Sequence, residues 1–388
     1  MMRTLPWFIA LVMAGQSSAP TGFDRQRLDA IPKRMQQFID AQEISGTVVL
    51  VRHKGKVVLA AENGLANREK RSPMKRDTVF QVMSMTKPVT ALAIMICAER
   101  GLLNLDDPVE RFFPALEDLM VTQPDGTLVK KRGRMTIRNL LTHTSGLPSV
   151  DPGGIDDLAK VKLTLAEYAA LFPQSKLIAE PNTRISYSGP GIALAGRIVE
   201  LVSGKSLPEF MRTEIFAPLE MNDTTFFATP ALAPRLARMY FSEDGALHAT
   251  SEDPMRPGAR YANPAGGLYS TAPDMANLLE CILRGGSWKG KRILSPRSCA
   301  AMTTLQTGEL TSDGSDAQGY GLGFSVVRSI RGSSHLKPVG SFGHTGAFGT
   351  EFWADPTSQT VVVFMSQSFA DRVRKTFNTM VNAAYLGP

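Results

Sequence analysis

The spacing of hydrophobic and polar positions changes several times along the chain, and each change marks an element. Residues 23–44 are amphipathic, as a helix on a protein surface requires. Residues 47–53 and 57–62 are β-rich runs on either side of Lys54-Gly55, which predicts a hairpin. Residues 89–98 form a long apolar segment of Ala, Leu, Ile and Met closed by Arg100-Gly101, and this reads as a buried helix. Pro88 fits that helix only in its first turn, which places Ser84 at the N-terminus. Residues 163–171, 192–202 and 208–215 show helical spacing between segments rich in Pro, Gly and Asp. Residues 349–354 and 360–365 flank Asp355-Pro-Thr-Ser358, a second strand–turn–strand signal, and residues 370–385 read as a closing amphipathic helix. Strands at both ends with helices between them predict a mixed α+β fold, its sheet built from the two ends of the chain. The Gly/Ser-rich stretch 306–337 is expected to be a mobile loop near a site. There is no internal repeat and no low-complexity tract.

Composition narrows the class. The chain has 388 residues, 43% hydrophobic and 20% charged, which is ordinary for a globular protein with a real core. That excludes disorder, a collagen-like chain or a coiled coil as whole-chain readings. Beyond the N-terminus no apolar run approaches the ~20 residues of a membrane span, so no integral span is expected in the mature chain. The net charge of +7 is spread out, with one dense cluster at Lys130, Lys131, Arg132 and Arg134. No aromatic residues are interleaved there for base stacking, and Pro124-Asp-Gly upstream marks a solvated turn, so no nucleic-acid partner is expected.

Met1-Met-Arg3, an apolar stretch of about ten residues and Gln16-Ser-Ser-Ala19 have the order of a secretory signal over residues 1–19. Export to the periplasm or medium is therefore expected; without such a signal the location would be cytoplasmic. No cysteine follows the apolar stretch to carry a lipid anchor. Cys97, Cys281 and Cys299 include no CxxC pair and no metal-ligand spacing. Cys97 lies in the apolar run and reads as a small buried hydrophobe. A Cys281–Cys299 disulfide stays open for an exported chain. Five scattered histidines form no metal cluster, and no metal or organic cofactor is expected.

The strongest local chemical signal is Ser84-Met-Thr-Lys87. Residues at i and i+3 share a helix face, so the amine can reach the hydroxyl. Main-chain N–H groups at a helix start favour developing negative charge. A serine needs a base to become a nucleophile, and a neutral lysine can be that base. The lysine pKa of ~10.4 would have to fall by about three units, or ~4 kcal/mol, and burial against an apolar helix supplies a force of that sign. The tetrapeptide by itself also fits a helix N-cap followed by a solvated lysine. Other hydrolase formats are missing, since the chain has no Gly-x-Ser-x-Gly elbow, no His-Glu-x-x-His and no Walker loop.

Two further segments follow in order. Tyr187-Ser-Gly189 stands about a hundred residues after Ser84, and His344-Thr345-Gly346 precedes the last strand pair. With Ser84-x-x-Lys87, this set resembles the three motifs of the penicillin-recognising serine hydrolases, which include class C β-lactamases, DD-peptidases and family VIII carboxylesterases. The resemblance runs from about residue 41 to the C-terminus. It includes Asp77-Thr-Val-Phe80, Gly101-Leu-Leu-Asn-Leu-Asp-Asp-Pro108, Ile137-Arg-Asn-Leu-Leu-Thr-His-Thr-Ser-Gly-Leu-Pro148, Ile215-Phe-Ala-Pro-Leu-Glu-Met221 and Gly266-Gly-Leu-Tyr-Ser-Thr-Ala272.

The resemblance implies a β-lactamase/transpeptidase-like fold, an antiparallel sheet flanked by helices with an inserted helical lobe. One catalytic domain would cover 23–388, with a sheet lobe of 23–83 plus 265–388 and a helical lobe of 84–264. It further implies that Ser84 is acylated and that Lys87 and Tyr187 relay its proton, Tyr187 as tyrosinate or as acid toward the leaving group. The main-chain N–H groups of Ser84 and Ala347 would form the oxyanion hole. His344, where many members carry lysine, would meet a substrate carboxylate or hold the tyrosine, with Thr345 and Gly346 beside it in the substrate site. His143 would be a structural loop residue.

The chain departs from the family pattern at Gly189, where the second motif usually has asparagine. Glycine offers no side-chain amide to an acylamino group, which disfavours β-lactam and peptide substrates. By contrast, His344-Thr-Gly346 is the DD-peptidase form, where many of the esterases have Trp-Gly-Gly. The expected activity is therefore a carboxylesterase on short acyl esters, with a small ester or amide as partner. A D-amino-acid-specific carboxypeptidase or aminopeptidase, or a weak class C-like β-lactamase, is the alternative. A non-catalytic penicillin-binding-like scaffold is disfavoured because all three nucleophile-activating side chains are present.

Overall fold

Lys54 and Gly55 both adopt positive φ, 48° and 79°, the backbone of a tight hairpin turn whose twist matches its strands. They join β1 (Gly46–His53) to β2 (Lys56–Asn67), as the apolar pattern predicts. A computed structural model describes residues 22–251, 254–311, 317–331, 336–369 and 371–387; the signal expected at 1–19 lies outside them. β2 continues through a bulge to β3 (Ser72–Pro73).

The rest of the main sheet comes from the other end of the chain: β4 (Gln318–Tyr320), β5 (Ser325–Val327), β6 (Phe342–Gly346), β7 (Thr350–Asp355) and β8 (Thr360–Met365). The strand order is β4-β5-β6-β7-β8-β1-β2-β3, antiparallel throughout. β8 lies against β1 with Val48 opposite Met365, and this pairing closes the two ends of the chain into one sheet.

Every position of β7 and β8 is buried, because both faces of the sheet are covered. Alternate side chains point to opposite faces. Val49, Val51, Trp353, Val362 and Phe364 pack under α1 (Arg25–Asp40) and α5 (Asp371–Ala384) through Phe38 and Phe377. Val48, Leu50, Phe352, Val361 and Val363 face the larger core. At its centre is α2 (Thr86–Glu99), in which twelve of fourteen residues are buried, Thr86 through Cys97. A helix apolar on all sides can persist only inside, and here it packs on α3 (Gly189–Ser203). Each fully buried Leu or Ile of α2 contributes about 1.5–3 kcal/mol of burial.

Several expectations need correction. Stretch 306–337 is not simply a loop: it supplies the edge strand β4 and its neighbour β5, held at one end by the hydrogen bond from Gln306 N–H to Tyr320 O. Within 163–171 the helix covers only Leu165–Ala169, because Pro173 follows in a tighter turn. In 208–215 an α-turn, Leu207–Met211, runs into a π-turn, Arg212–Phe216. Cys97, Cys281 and Cys299 are free and buried, so the Cys281–Cys299 disulfide is not formed. The basic cluster is partly neutralised, with Lys130 on Asp118 at 2.6 Å and buried Lys131 on Glu110 at 2.5 Å. The sequence reading also missed α4 (Ala272–Leu283), although its Thr271 cap, which accepts the Asp274 N–H, was visible as Thr-x-x-Asp before an apolar run. Among the described residues, no helix is long and apolar enough to cross a membrane.

Candidate active site

Ser84 is not the side-chain cap of α2. It lies in the 3₁₀ turn Met83–Met85, one residue before the N-cap position, and α2 has no side-chain cap. Its hydroxyl is therefore free for other chemistry. Met83 adopts φ 50°, in the left-handed region that non-glycine residues seldom occupy, so this turn stores backbone strain beside the half-buried serine.

Three side chains of the first turns of α2 tie it to the segment 264–268. Thr86 Oγ1 accepts the Leu268 N–H at 3.2 Å, Lys87 Nζ donates to Ala265 O at 2.7 Å, and Thr90 Oγ1 donates to Pro264 O at 2.7 Å. The clamp leaves Lys87 only 2% exposed, with Nζ 2.8 Å from Ser84 Oγ. Burial disfavours the ammonium and pushes the Lys87 pKa down to about 7. The site thus holds a serine with an adjacent amine that is uncharged in a substantial fraction of molecules at neutral pH.

Tyr187 ends the loop before α3, and the Lys87 amine lies 4.8 Å from its ring centroid. Tyr187 is 37% exposed as a residue. Burial pushes the Tyr187 pKa up to about 12, against the opposing pull of a hydrogen bond with the Ser84 side chain. Of the two roles expected for Tyr187, tyrosinate or acid toward the leaving group, this burial favours the acid. Tyr187 is a phenol, able to donate a proton.

His344 is on β6 and faces this cluster, its ring centroid 6.1 Å from that of Tyr187. Its Nδ1 is 2.8 Å from the Thr345 carbonyl oxygen. A carbonyl can only accept, so Nδ1 carries the proton and Nε2 presents a bare lone pair. Among the described residues Nε2 is buried without a partner. Burial, then the charge of Lys87, pushes the His344 pKa down to about 3. In this state His344 offers an acceptor and no cation to a substrate carboxylate. Thr345 points to the opposite face and is exposed, outside the Lys87–Tyr187–His344 cluster.

Gly346 ends β6 where the strand meets the serine turn. A Cβ there would sit 2.4 Å from Val82 O and 2.1 Å from Thr350 Oγ1, so no larger residue allows this approach. Ala347, the next residue, is exposed. Among the described residues neither the Ser84 nor the Ala347 N–H is taken by a main-chain acceptor. Gly189 opens α3, and a Cβ on it would make an ordinary 3.6 Å contact with Ala265, whose carbonyl holds Lys87. Among the described residues no group of three or more His, Cys, Asp or Glu could hold a metal ion.

Sequence reasoning underrated two rings. His143 is fully buried against Tyr187, centroids 4.5 Å apart, and Tyr320 of β4 meets His143 edge-on at 4.7 Å. No local pattern announces Tyr320, because its partners come from distant parts of the chain.

The chain was compared with known proteins. The family model described as Beta-lactamase matches residues 31–385. Esterase EstB of Burkholderia gladioli is 30% identical over 306 residues, 70% of this chain and 74% of that protein. Penicillin-binding protein 4 of Amycolatopsis lactamdurans is 31% identical over 302 residues, 75% of this chain and 71% of that one. Among solved structures, EstCE1, described as a hydrolase with promiscuous acyltransferase activity, superposes with a TM-score of 0.79. It is 27% identical, and the match covers 94% of this chain and 99% of that chain. The expected β-lactamase/transpeptidase-like fold is therefore the one observed.

Proposed function

We propose that this chain, which belongs to the beta-lactamase family, is a serine esterase that hydrolyses small uncharged acyl esters through an acyl-enzyme on Ser84. The observation that carries this reading is the 2.8 Å contact between Ser84 Oγ and a Lys87 amine whose pKa is about 7.

Neutral Lys87 takes the Ser84 proton as Oγ bonds to the ester carbonyl carbon. The carbonyl electron pair moves to oxygen, which the N–H groups of Ser84 and Ala347 receive. When the tetrahedral centre collapses, the C–O bond to the leaving alcohol breaks and the Tyr187 phenol gives that oxygen its proton. The proton taken by Lys87 then restores the phenol. Water repeats the sequence on the acyl-enzyme, releasing the acid and Ser84.

Two features support an uncharged ester over a peptide or β-lactam. His344 is neutral and offers an acceptor where an anionic substrate would need a cation. Gly189 has no amide to meet an acylamino group. The names of EstB and EstCE1 agree with this reading, whereas penicillin-binding protein 4 keeps the peptidase alternative in view. Parallel kcat/KM values on p-nitrophenyl butyrate, a chromogenic cephalosporin and a D-Ala-D-Ala peptide test it. Fastest turnover of the butyrate is expected; faster turnover of the peptide or the cephalosporin would overturn the esterase reading.

A further inference from the structure

We propose that His143 is the positioning residue of Tyr187, fixing its main chain from both sides and its ring from one face. The proposal rests on the reading that Tyr187 relays a proton, and it concerns a residue that touches none of the reacting atoms.

The main-chain N–H groups of the residues on either side of Tyr187 both donate to His143. The Ser186 N–H donates to His143 O at 2.7 Å, and the Ser188 N–H donates to His143 Nδ1 at 3.1 Å. Between these anchors the Tyr187 ring lies against the imidazole, centroids 4.5 Å apart with planes 40° apart. Tyr320 meets the imidazole edge-on at 4.7 Å and 76° and lies 6.5 Å from the Tyr187 ring, so it flanks the pair and adds a second ring contact to the imidazole. A main chain pinned at both neighbours and a ring stopped on one face leave the phenol few directions in which to swing from Ser84.

His143 is also a costly choice for its place. Its φ is +59°, a backbone conformation that suits Gly or Asn better than His. Accepting the Ser188 N–H puts the proton on Nε2, and among the described residues that buried N–H has no acceptor. A residue serving only the loop could be Gly, which would relieve both penalties. What Gly would lose is the acceptor for Ser188 and the ring under Tyr187. Burial keeps the imidazole neutral, as an accepting Nδ1 requires.

The side-chain oxygen of Asn can occupy the place of Nδ1, whereas Gln puts its amide at the place of Nε2. Asn also tolerates the positive φ. The test measures kcat and KM on p-nitrophenyl butyrate for His143→Gln and His143→Asn, each in the wild-type and Tyr187→Phe backgrounds. Thermal unfolding checks that each variant is folded. Misplacing a reacting group by about 1 Å costs about 100-fold, so His143→Gln should lower kcat about 30- to 100-fold with KM within about threefold. His143→Asn should keep at least about ten times the kcat of Gln, the rescue that a retained acceptor predicts. In the Tyr187→Phe background His143→Gln should change kcat less than about threefold, because the two residues act as one unit.

Wild-type kcat in folded His143→Gln, or equal losses in both backgrounds, would overturn the proposal. If the Gln variant does not fold, His143→Asn decides by itself: kcat within about tenfold of wild type supports the role, and a larger loss in folded protein refutes it. Full activity of Tyr187→Phe with His143 intact would instead remove the proton-relay reading, and the positioning role with it. That failure is distinct, because it occurs before His143 is touched.

Discussion

The Lys87 amine lies 2.8 Å from the Ser84 hydroxyl, in surroundings that hold its pKa at about 7. The ordering of α2 against segment 264–268 produces this state, since the same hydrogen bonds that clamp the helix exclude water from the amine.

The rate should follow the proton on Lys87. Below about pH 7 the amine is an ammonium and cannot accept the serine proton, so kcat/KM on p-nitrophenyl butyrate should fall about tenfold per pH unit toward acid. Above that point it should level off. Tyr187, at about 12, and His344, at about 3, add no second inflection between them. A pH–rate profile corrected for spontaneous hydrolysis checks this, and an inflection near 10 would mean that Lys87 stays charged.

Lys87→Arg puts a permanent cation at this place and removes the base, because guanidinium does not deprotonate in proteins. Loss of a general base is worth about 10²–10⁴-fold. The expected drop in kcat is in that range, measured by burst and steady-state release of p-nitrophenol in a variant whose circular dichroism is unchanged.

Gly189→Asn would supply the missing amide with little steric conflict, since the added Cβ meets Ala265 only at 3.6 Å. Activity on the cephalosporin and the D-Ala-D-Ala peptide should rise relative to the butyrate, by about tenfold if one hydrogen bond of about 1.4 kcal/mol is gained. An unchanged ratio would count against the role given to Gly189.

Gly346→Ala would push a methyl group into Val82 O and Thr350 Oγ1. Overpacking of this kind costs about 1–3 kcal/mol. Urea unfolding should show that loss, and because the displaced strand carries the Ala347 N–H, kcat should fall with it.

The hairpin 47–62, the last strand pair and the buried helix were legible because each is a long run with one period, shaped by local apolar contact. Ser84 and Lys87 were legible for a related reason: their spacing of three brings them together in any helical turn. The three-residue strands β4 and β5 were not, because three residues carry no period, and they join the sheet only through the pairing of β5 with β6. The charge states were legible only in sign. Burial could be foreseen for Lys87, but not for Tyr187 and His344, whose surroundings form only when 143, 187, 320 and 344 meet. His143 looked like a loop residue for the same reason, its contacts with Ser186 and Ser188 spanning more than forty positions.

The central claim, a Ser84 nucleophile activated by its neighbours, is tested most directly by intact-mass spectrometry and peptide mapping after treatment with a fluorophosphonate. The account predicts one adduct per chain, on Ser84, absent in Ser84→Ala and slowed in Lys87→Arg. An unlabelled protein, or an adduct that persists in Ser84→Ala, would contradict it.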